Sequence, residues 1–402
     1  MKRIYENLIK EHLAEHQQML FLAGPRQVGK STLCLEAAKF SDRSVYLNWD
    51  NSEHRKIILL GEKEILTLIK FDTLSTDKPL IIFDELHKYK NWKNYLKGFY
   101  DIYKGKINII VCGSAKLDIF RRGGDSLMGR YILYRIHPLS LKEIIDPQIN
   151  LNLISKPEYS TPEIFSKLLH IGGYPEPFIK NNARFTNQWR QLRFQQLFRE
   201  DIQSIEKIVS IAQLEVLAEI LCEQAAGLLN YSSIANDIRV SADTVKRWID
   251  VLGQFYYCFR IQPWFKNVKR SLLKEPKIYL WDWGLIREPG SKIENLVACH
   301  LLKAVHLWTD MGLGRYRLHY LRDKDKREVD FLVSKDNTPW FIVEVKSSPS
   351  KTISPNLNYF SEQLGVRHAF EVVYDMDYVA LDCFSTNSPI RVPLSTFLSQ
   401  LC

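Results

Sequence analysis

The sequence lacks the residue patterns that stabilise proteins through disulfides, hold structural zinc or cross membranes. Its seven cysteines are scattered and no two form a C-x-x-C pair. This spacing argues against structural zinc and predicts a reducing, cytoplasmic location. No apolar run approaches the ~18–20 residues of a membrane span. Residues 1–6 turn polar at once, so we expect neither a signal peptide nor a membrane partner.

The composition is that of a globular protein with a mild excess of positive charge. A length of 402 residues predicts two to four domains, and 46% hydrophobic with 25% charged residues is ordinary for packed domains. The formal net charge of +9 favours a polyanionic partner, although many basic proteins bind nothing acidic.

Residues 24–31 read G-x-x-x-x-G-K-S between an apolar stretch at 19–23 and a helical pattern at 32–39. A strand, a glycine turn and a helix form the context in which this motif binds phosphate. The backbone N–H groups and the helix dipole face the anion. Lys30 can reach the β/γ-phosphates and Ser31 can ligate Mg²⁺. The motif predicts an ATP site comprising Gly24, Pro25, Arg26, Gln27, Val28, Gly29, Lys30, Ser31 and Thr32.

Two further apolar runs end in polar side chains that suit this site. Residues 79–83 precede Asp84 and Glu85, which we predict to hold Mg²⁺ and to polarise an attacking water. The glutamate favours a hydrolase over a kinase. Residues 107–113 precede Ser114, a candidate sensor of the γ-phosphate or a simple turn former. Strands alternating with helices predict a doubly wound α/β domain.

Proline and glycine breaks divide the rest of the chain. We predict an α/β domain over residues 1–137 and a helical region over 138–205. A small helical domain follows over 206–287, and an α/β domain over 288–402.

Residues 231–238 and 244–252 show apolar periodicity on either side of a short turn, which predicts a helix-turn-helix with Ser241 or Asp243 as the cap of its second helix. Strands at 255–261 and 277–281 would form a wing around a basic loop. The candidate phosphate contacts are Lys246, Arg247, Lys266, Lys269 and Arg270. Alternatively, the segment serves only as a packing module with solvated charges.

Residues 327–333 and 339–346 predict a β-hairpin that carries Asp330, Glu344 and Lys346. Glu344 and Lys346 lie on one face because strand side chains alternate. With Glu294 from an upstream helix, the acids could hold Mg²⁺ and Lys346 could activate water against a phosphodiester. A solvent-facing hairpin is the alternative.

Taken in order, these segments resemble the prokaryotic AAA-type ATPases with a C-terminal domain of unknown function (DUF4143), a branch of the archaeal-type ATPase assemblage. The matching stretches are GPRQVGKST (24–32), YLNWD (46–50), IFDE (82–85), GSAKL (113–117), SLMGRY (126–131), PLS (138–140), GGYPE (172–176), EN (294–295), EVDF (328–331) and EVK (344–346). The resemblance implies an AAA core, a helical lid, a winged helix and a C-terminal α/β domain similar to PD-(D/E)xK nucleases. It makes Arg130 the candidate arginine finger, offered in trans within a homo-oligomer. His87 departs from the glutamine more common after Asp-Glu-Ile.

The leading functional hypothesis is an Mg²⁺-dependent ATPase that acts on nucleic acid, most readily DNA, with metal-dependent cleavage by the C-terminal domain left open. The alternative is a nucleotide-gated switch that binds a protein partner, with both C-terminal domains as scaffolds.

Overall fold

The computed structural model describes residues 1–73, 77–113, 127–148, 153–202, 210–265, 274–387 and 389–402. The chain divides into two compact units. Unit 1 comprises residues 1–137 with 147–149, and unit 2 comprises 138–146 with 150–402.

Unit 1 alternates strands and helices as the sequence predicts. Its strands are β1 (Met19–Ala23), β2 (Ser44–Asn48), β3 (Leu80–Asp84), β4 (Asn108–Gly113) and β5 (Tyr131–Arg135). Its helices are α1 (Tyr5–Glu15), α2 (Lys30–Ala38), α3 (Ser52–Leu60), α4 (Glu62–Leu68) and α5 (Trp92–Tyr103).

These strands form one parallel sheet in the order β2-β3-β4-β1-β5. β1 and β3 are buried along their whole length, as expected for parallel strands covered by helices on both faces. β4 separates β1 from β3, so the carboxyl ends of all three strands lie at the same edge of the sheet.

Unit 2 begins with helices and ends with a sheet. Its helices are α6 (Leu141–Ile145), α7 (Pro162–Ile171), α8 (Pro175–Lys180), α9 (Ala183–Gln196), α10 (Ile211–Glu223), α11 (Tyr231–Ile238), α12 (Ala242–Gln254), α13 (Pro289–Asp310), α14 (Pro355–Leu364) and α15 (Leu394–Leu398). Its strands are β6 (Cys258–Pro263), β7 (Lys277–Leu280), β8 (Tyr316–Arg322), β9 (Glu328–Lys335), β10 (Thr338–Lys346), β11 (His368–Val373) and β12 (Ile390–Pro393).

α11 and α12 are joined by a short turn. Arg239 ends α11 in the left-handed conformation, and Ser241 caps α12 by accepting a hydrogen bond from Thr244 N. The predicted Ser241 cap is therefore confirmed. Val245, Trp248 and Ile249 form the buried face of α12.

The strands of unit 2 form a mixed sheet in the order β12-β11-β10-β9-β8-β6-β7. β6 pairs antiparallel with β7 and parallel with β8. One sheet therefore crosses the predicted boundary between residues 287 and 288, because the two strands assigned to the wing continue the C-terminal sheet. The division of residues 138–402 into three domains stays a prediction.

Residues 138–146 are tied to α13 by buried polar contacts. Lys303 Nζ lies 2.5 Å from a Glu143 carboxylate oxygen and donates to Ser140 Oγ at 2.9 Å. His300 Nε2 accepts from Leu141 N at 3.0 Å. These bonds explain why this segment belongs to unit 2.

In the described part of the chain, no helix is long and apolar enough to cross a membrane.

Candidate functional site

The glycine loop after β1 has the geometry that its motif predicts. A Cβ on Gly24 would stand 2.3 Å from the Ile136 carbonyl oxygen, so only glycine fits against the chain that leaves β5. Gly29 has φ +98° and Gln27 has φ +61°, which turns the loop through left-handed conformations before α2 begins at Lys30. The side chain of Val28, within the loop, is fully buried.

Lys30 lies inside this loop. Its Nζ donates to the carbonyl oxygens of Gly24 at 2.9 Å and Pro25 at 2.6 Å. Burial lowers the pKa of the ammonium, and the neighbouring Glu85 carboxylate opposes that effect. The charge is thus held by neutral acceptors and can be directed to a phosphate.

Ser31 and Asp84 meet although 53 residues separate them. Ser31 Oγ donates to Asp84 Oδ2 at 2.7 Å. The Tyr46 hydroxyl on β2 donates to the same oxygen at 2.5 Å, and burial together with this bond raises the pKa of Tyr46. A hydroxyl and a carboxylate are hard oxygen ligands that fit Mg²⁺.

Glu85 directly follows β3 with φ +55°, an uncommon conformation for a side-chain-bearing residue. Its Oε2 lies 3.3 Å from Lys88 Nζ and 3.6 Å from His87 Nε2. Lys88 also contacts Asp50 at 2.5 Å. Burial alone would lower the pKa of Lys88, but the Asp50 and Glu85 carboxylates raise it. A cation therefore holds the candidate water-polarising carboxylate in place.

An arginine near the N-terminus donates hydrogen bonds to the backbone of the glycine loop and of the chain after β5. Arg3 is 6% exposed, and its guanidinium donates to Val28 O and to His137 O, both at 2.7 Å. The Tyr5 hydroxyl accepts from His137 N at 3.0 Å. The first five residues therefore join the phosphate loop to the chain that follows β5.

Arg130 lies just before β5 and is paired within its own chain. Its Nε and Nη2 donate to the two carboxylate oxygens of Asp101 at 2.8 and 3.0 Å. This bidentate pair raises the pKa of Arg130 and lowers that of Asp101. Met19 N, at the start of β1, donates to Arg130 O, so the arginine lies at the opposite end of β1 from the glycine loop.

Some predicted site residues cannot be placed. Ser114, Lys266, Lys269 and Arg270 lie outside the described residues. Lys246 and Arg247 lie on α12 and are exposed, on the side opposite its buried face.

The predicted C-terminal hairpin is confirmed as β9 and β10, joined by Asp336 and Asn337 with φ +50° and +68°. Asp330 Oδ2 accepts from Val345 N at 2.9 Å. Glu344 is buried, and its Oε1 lies 2.7 Å from Lys346 Nζ.

Three carboxylates of unit 2 surround a lysine that the sequence did not single out. We call Glu294, Glu328 and Asp330 the acidic cluster. Lys277 Nζ on β7 lies 3.0 Å from Glu294, 2.7 Å from Glu328 and 3.3 Å from Asp330. Burial, reinforced by Asp330, raises the pKa of Glu294 to about 7.

The three predicted metal ligands Asp330, Glu344 and Glu294 face lysine ammonium groups, and their role as a metal centre stays a prediction. Among the described residues, no group of three or more His, Cys, Asp or Glu side chains could hold a metal ion. The Lys277 ammonium contacts two of the three predicted ligands, and Lys346 takes an oxygen of the third.

Three domain families match the chain. An AAA domain matches residues 16–145, a domain of unknown function (DUF8612) matches 162–289 and a domain of unknown function (DUF4143) matches 289–390. The chain carries an AAA domain and a C-terminal DUF4143 domain. The resemblance drawn from the sequence is thereby confirmed for both parts. An AAA domain with this loop geometry is a nucleotide-binding domain.

Curated relatives are similar to this chain at low identity. The uncharacterized protein MJ1544 of Methanocaldococcus jannaschii is 23% identical over 333 residues, which cover 78% of this chain and 71% of that protein. The uncharacterized protein Rv2008c of Mycobacterium tuberculosis is 22% identical over 340 residues, 83% of this chain and 71% of its own. An uncharacterized protein of Haemophilus influenzae is 20% identical over 351 residues, with 82% and 83% covered.

Two solved structures are similar at 17% identity. AMPPCP-bound DnaA from Aquifex aeolicus covers 62% of this chain and 86% of that one with a TM-score of 0.32. C. elegans PCH-2 covers 61% and 65% with a TM-score of 0.24. Because both TM-scores are below 0.5, the AAA assignment depends on the domain match and on the loop geometry.

Sequence reasoning missed Arg3, Tyr46, Lys88 and Lys277. Tyr46 lies in the quoted stretch YLNWD and Lys88 lies three residues after IFDE. Their position beside Asp84 and Glu85 could therefore have been suspected from the parallel strand ends. No sequence pattern marks Arg3 or Lys277, since each is far along the chain from the groups that it contacts.

We expect Lys30→Ala to abolish ATP binding and Glu85→Gln to keep binding while lowering turnover about 100-fold or more. The first change removes the ammonium from the loop, whereas the second removes only the charge that polarises water. Nucleotide titration and phosphate release measure the two effects. Glu53→Gln, an exposed matched change on α3, should behave as the unaltered protein. Near-normal turnover in Glu85→Gln would remove Glu85 from its assigned role.

Arg3→Ala should weaken nucleotide binding about tenfold, because Val28 O and His137 O lose their buried donor and the loop loses its support. Titration with a fluorescent nucleotide measures the loss, and thermal melting shows whether the fold survives. Arg3→Lys should recover part of the affinity, since one ammonium can serve one of the two carbonyls. The neighbouring exposed Lys2→Ala is the control. Unchanged affinity in folded Arg3→Ala protein would show that Arg3 does not position the loop.

Proposed function

We propose that this chain is an Mg²⁺-dependent AAA-type ATPase that acts on nucleic acid. The observation that carries the ATPase part is the 2.7 Å contact between Ser31 and Asp84 beside the loop that encloses Lys30. Two motifs that are far apart in the chain there place a hydroxyl and a carboxylate side by side, as a site that binds phosphate and a metal ion requires.

Each residue of this site has a distinct task in hydrolysis. Lys30 stabilises charge on the β/γ-phosphates, and Ser31 with Asp84 would hold Mg²⁺, which neutralises phosphate charge when bound. Glu85 orients a water and accepts its proton as the water attacks. Lys88 fixes the direction of the Glu85 carboxylate, because its ammonium lies 3.3 Å from Glu85 and 2.5 Å from Asp50.

The position of Arg130 supports a role toward the nucleotide of a neighbouring copy. Arg130 lies beside Met19, and Met19 and Ala23 are four residue steps apart along β1, about 13 Å at ~3.3 Å per residue. Asp101, on α5, holds the guanidinium by a hydrogen bond. An arginine at this end of the sheet is remote from the loop of its own chain, as a finger supplied in trans must be.

The nucleic-acid part of the proposal rests on helix α12 and the charge of the chain. Lys246 and Arg247 are exposed on a helix that follows a tight turn after α11, the arrangement of a helix-turn-helix. β6 and β7 pair antiparallel, as the strands of a wing would, and the basic segment 266–273 lies between them in sequence. The net charge of +9 favours a polyanion.

Lys246→Ala/Arg247→Ala should weaken binding of duplex DNA and reduce the slope of log affinity against log salt by about 2, because two phosphate contacts are lost. Fluorescence anisotropy between about 50 and 200 mM salt measures both quantities. Lys324→Ala/Lys351→Ala, which removes two exposed lysines elsewhere, is the charge-matched control.

ATPase turnover on single-stranded, duplex and branched DNA and RNA then separates the two hypotheses. Stimulation that the α12 double variant loses supports action on nucleic acid. Turnover indifferent to every nucleic acid, together with no binding, contradicts it and favours a nucleotide-gated switch that binds a protein.

Arg130→Ala should leave nucleotide affinity nearly unchanged and lower turnover about 1000-fold, since a finger stabilises charge that develops only in the transition state. Mixing Arg130→Ala with Lys30→Ala protein should restore part of the activity, because each copy supplies what the other lacks. Phosphate release and sedimentation measure this. A fully active monomer would contradict a finger in trans.

A further inference from the structure

The acidic cluster of Glu294, Glu328 and Asp330 is built around a side chain rather than around a solvent-filled opening. Lys277 is 4% exposed, and its ammonium lies within 2.7–3.3 Å of one oxygen from each carboxylate. The opposing charges raise the pKa of Lys277 although burial alone would lower it. The lysine ammonium therefore fills the space between the three carboxylates.

Two of the three oxygens that Lys277 does not contact accept hydrogen bonds from other groups, and Glu294 Oε1 accepts a second one. Besides the lysine contacts, the donors are Val345 N to Asp330 Oδ2 at 2.9 Å, Arg322 Nη1 to Glu328 Oε2 at 2.6 Å and the Tyr279 hydroxyl to Glu294 Oε1 at 2.8 Å. Five of the six carboxylate oxygens thus accept a hydrogen bond or ion pair within the described part of the chain.

This arrangement opposes binding of a divalent metal. Mg²⁺ requires oxygens at 2.0–2.1 Å in near-octahedral geometry, and those oxygens already face an ammonium. A second cation at the same oxygens would be repelled by Lys277 across a poorly solvated space, where like charges repel strongly. Displacing Lys277 from the carboxylates would leave its charge buried without partners, which is strongly unfavourable.

The position of Lys277 in the chain explains what the contact does. The acidic cluster comes from α13 and β9, both within residues 289–390, whereas Lys277 begins β7 in the preceding region. The ion cluster therefore ties the strand after the basic segment 266–273 to the C-terminal sheet.

We propose that Lys277 is the resident cation of the acidic cluster, that the cluster takes no divalent metal, and that it anchors β7 instead of cleaving phosphodiesters. The proposal concerns unit 2 alone and holds or fails independently of ATP hydrolysis by the AAA domain.

Mn²⁺ titration followed by electron paramagnetic resonance tests this proposal. The full chain is used without nucleotide and with Asp84→Asn, so that the nucleotide site adds no metal. In this background we expect no bound Mn²⁺ that is lost when Asp330 is replaced by asparagine. Lys277→Ala should gain about one equivalent of Mn²⁺, and Lys277→Ala/Asp330→Asn should lose it again. Lys274→Ala, an exposed lysine three residues away, should gain none.

Two results would overturn the proposal. The first is one equivalent of Mn²⁺ bound with Lys277 intact and lost in Asp330→Asn. The second is folded Lys277→Ala protein, verified by circular dichroism, that gains no metal. If Lys277→Ala does not fold, the comparison with Lys277 intact decides by itself, since metal that depends on Asp330 contradicts the proposal and its absence supports it.

Discussion

The hydrogen bond from Ser31 to Asp84 requires that β1 and β3 run parallel and end at the same edge of one sheet. β4 lies between them, so the two strand ends are separated by two strand spacings, about 10 Å. The glycine loop after β1 bridges part of this gap and delivers the first turn of α2 toward Asp84. The rest of the nucleotide site depends on this placement: Lys30 lies one residue before Ser31, and Glu85 one residue after Asp84.

Two buried lysines show how surroundings decide what a charge can do. Lys30 is held by two neutral carbonyl oxygens, and burial lowers its pKa. Neither carbonyl carries a formal charge, so the ammonium can still attract an anion that enters the loop. Lys277 is held by three carboxylates that raise its pKa. Its charge is already compensated, which leaves little attraction for an anionic ligand.

Sequence periodicity predicted local structure well where a pattern repeats within one element. The β9–β10 hairpin, the Ser241 cap of α12 and the glycine loop follow from residues that are neighbours in the chain. The continuation of one sheet through β8, β6 and β7 did not follow, because strands 258–263 and 316–322 pair across more than fifty residues. The alternation of polar and apolar residues within a strand does not show which other strand it pairs with.

By itself, the sequence determined that a phosphate-binding loop, an acidic strand end and a hairpin with two acids and a lysine are present. Each of these depends on residue type and short-range spacing. Only the tertiary structure decided that Arg3 supports the loop through Val28 and His137. It also decided that Lys277 occupies the acidic cluster. In both cases a cationic side chain contacts groups that are distant in sequence, and the residues next to it in the chain do not indicate that contact. The contacts, at 2.7–3.3 Å, form only when the chain has folded.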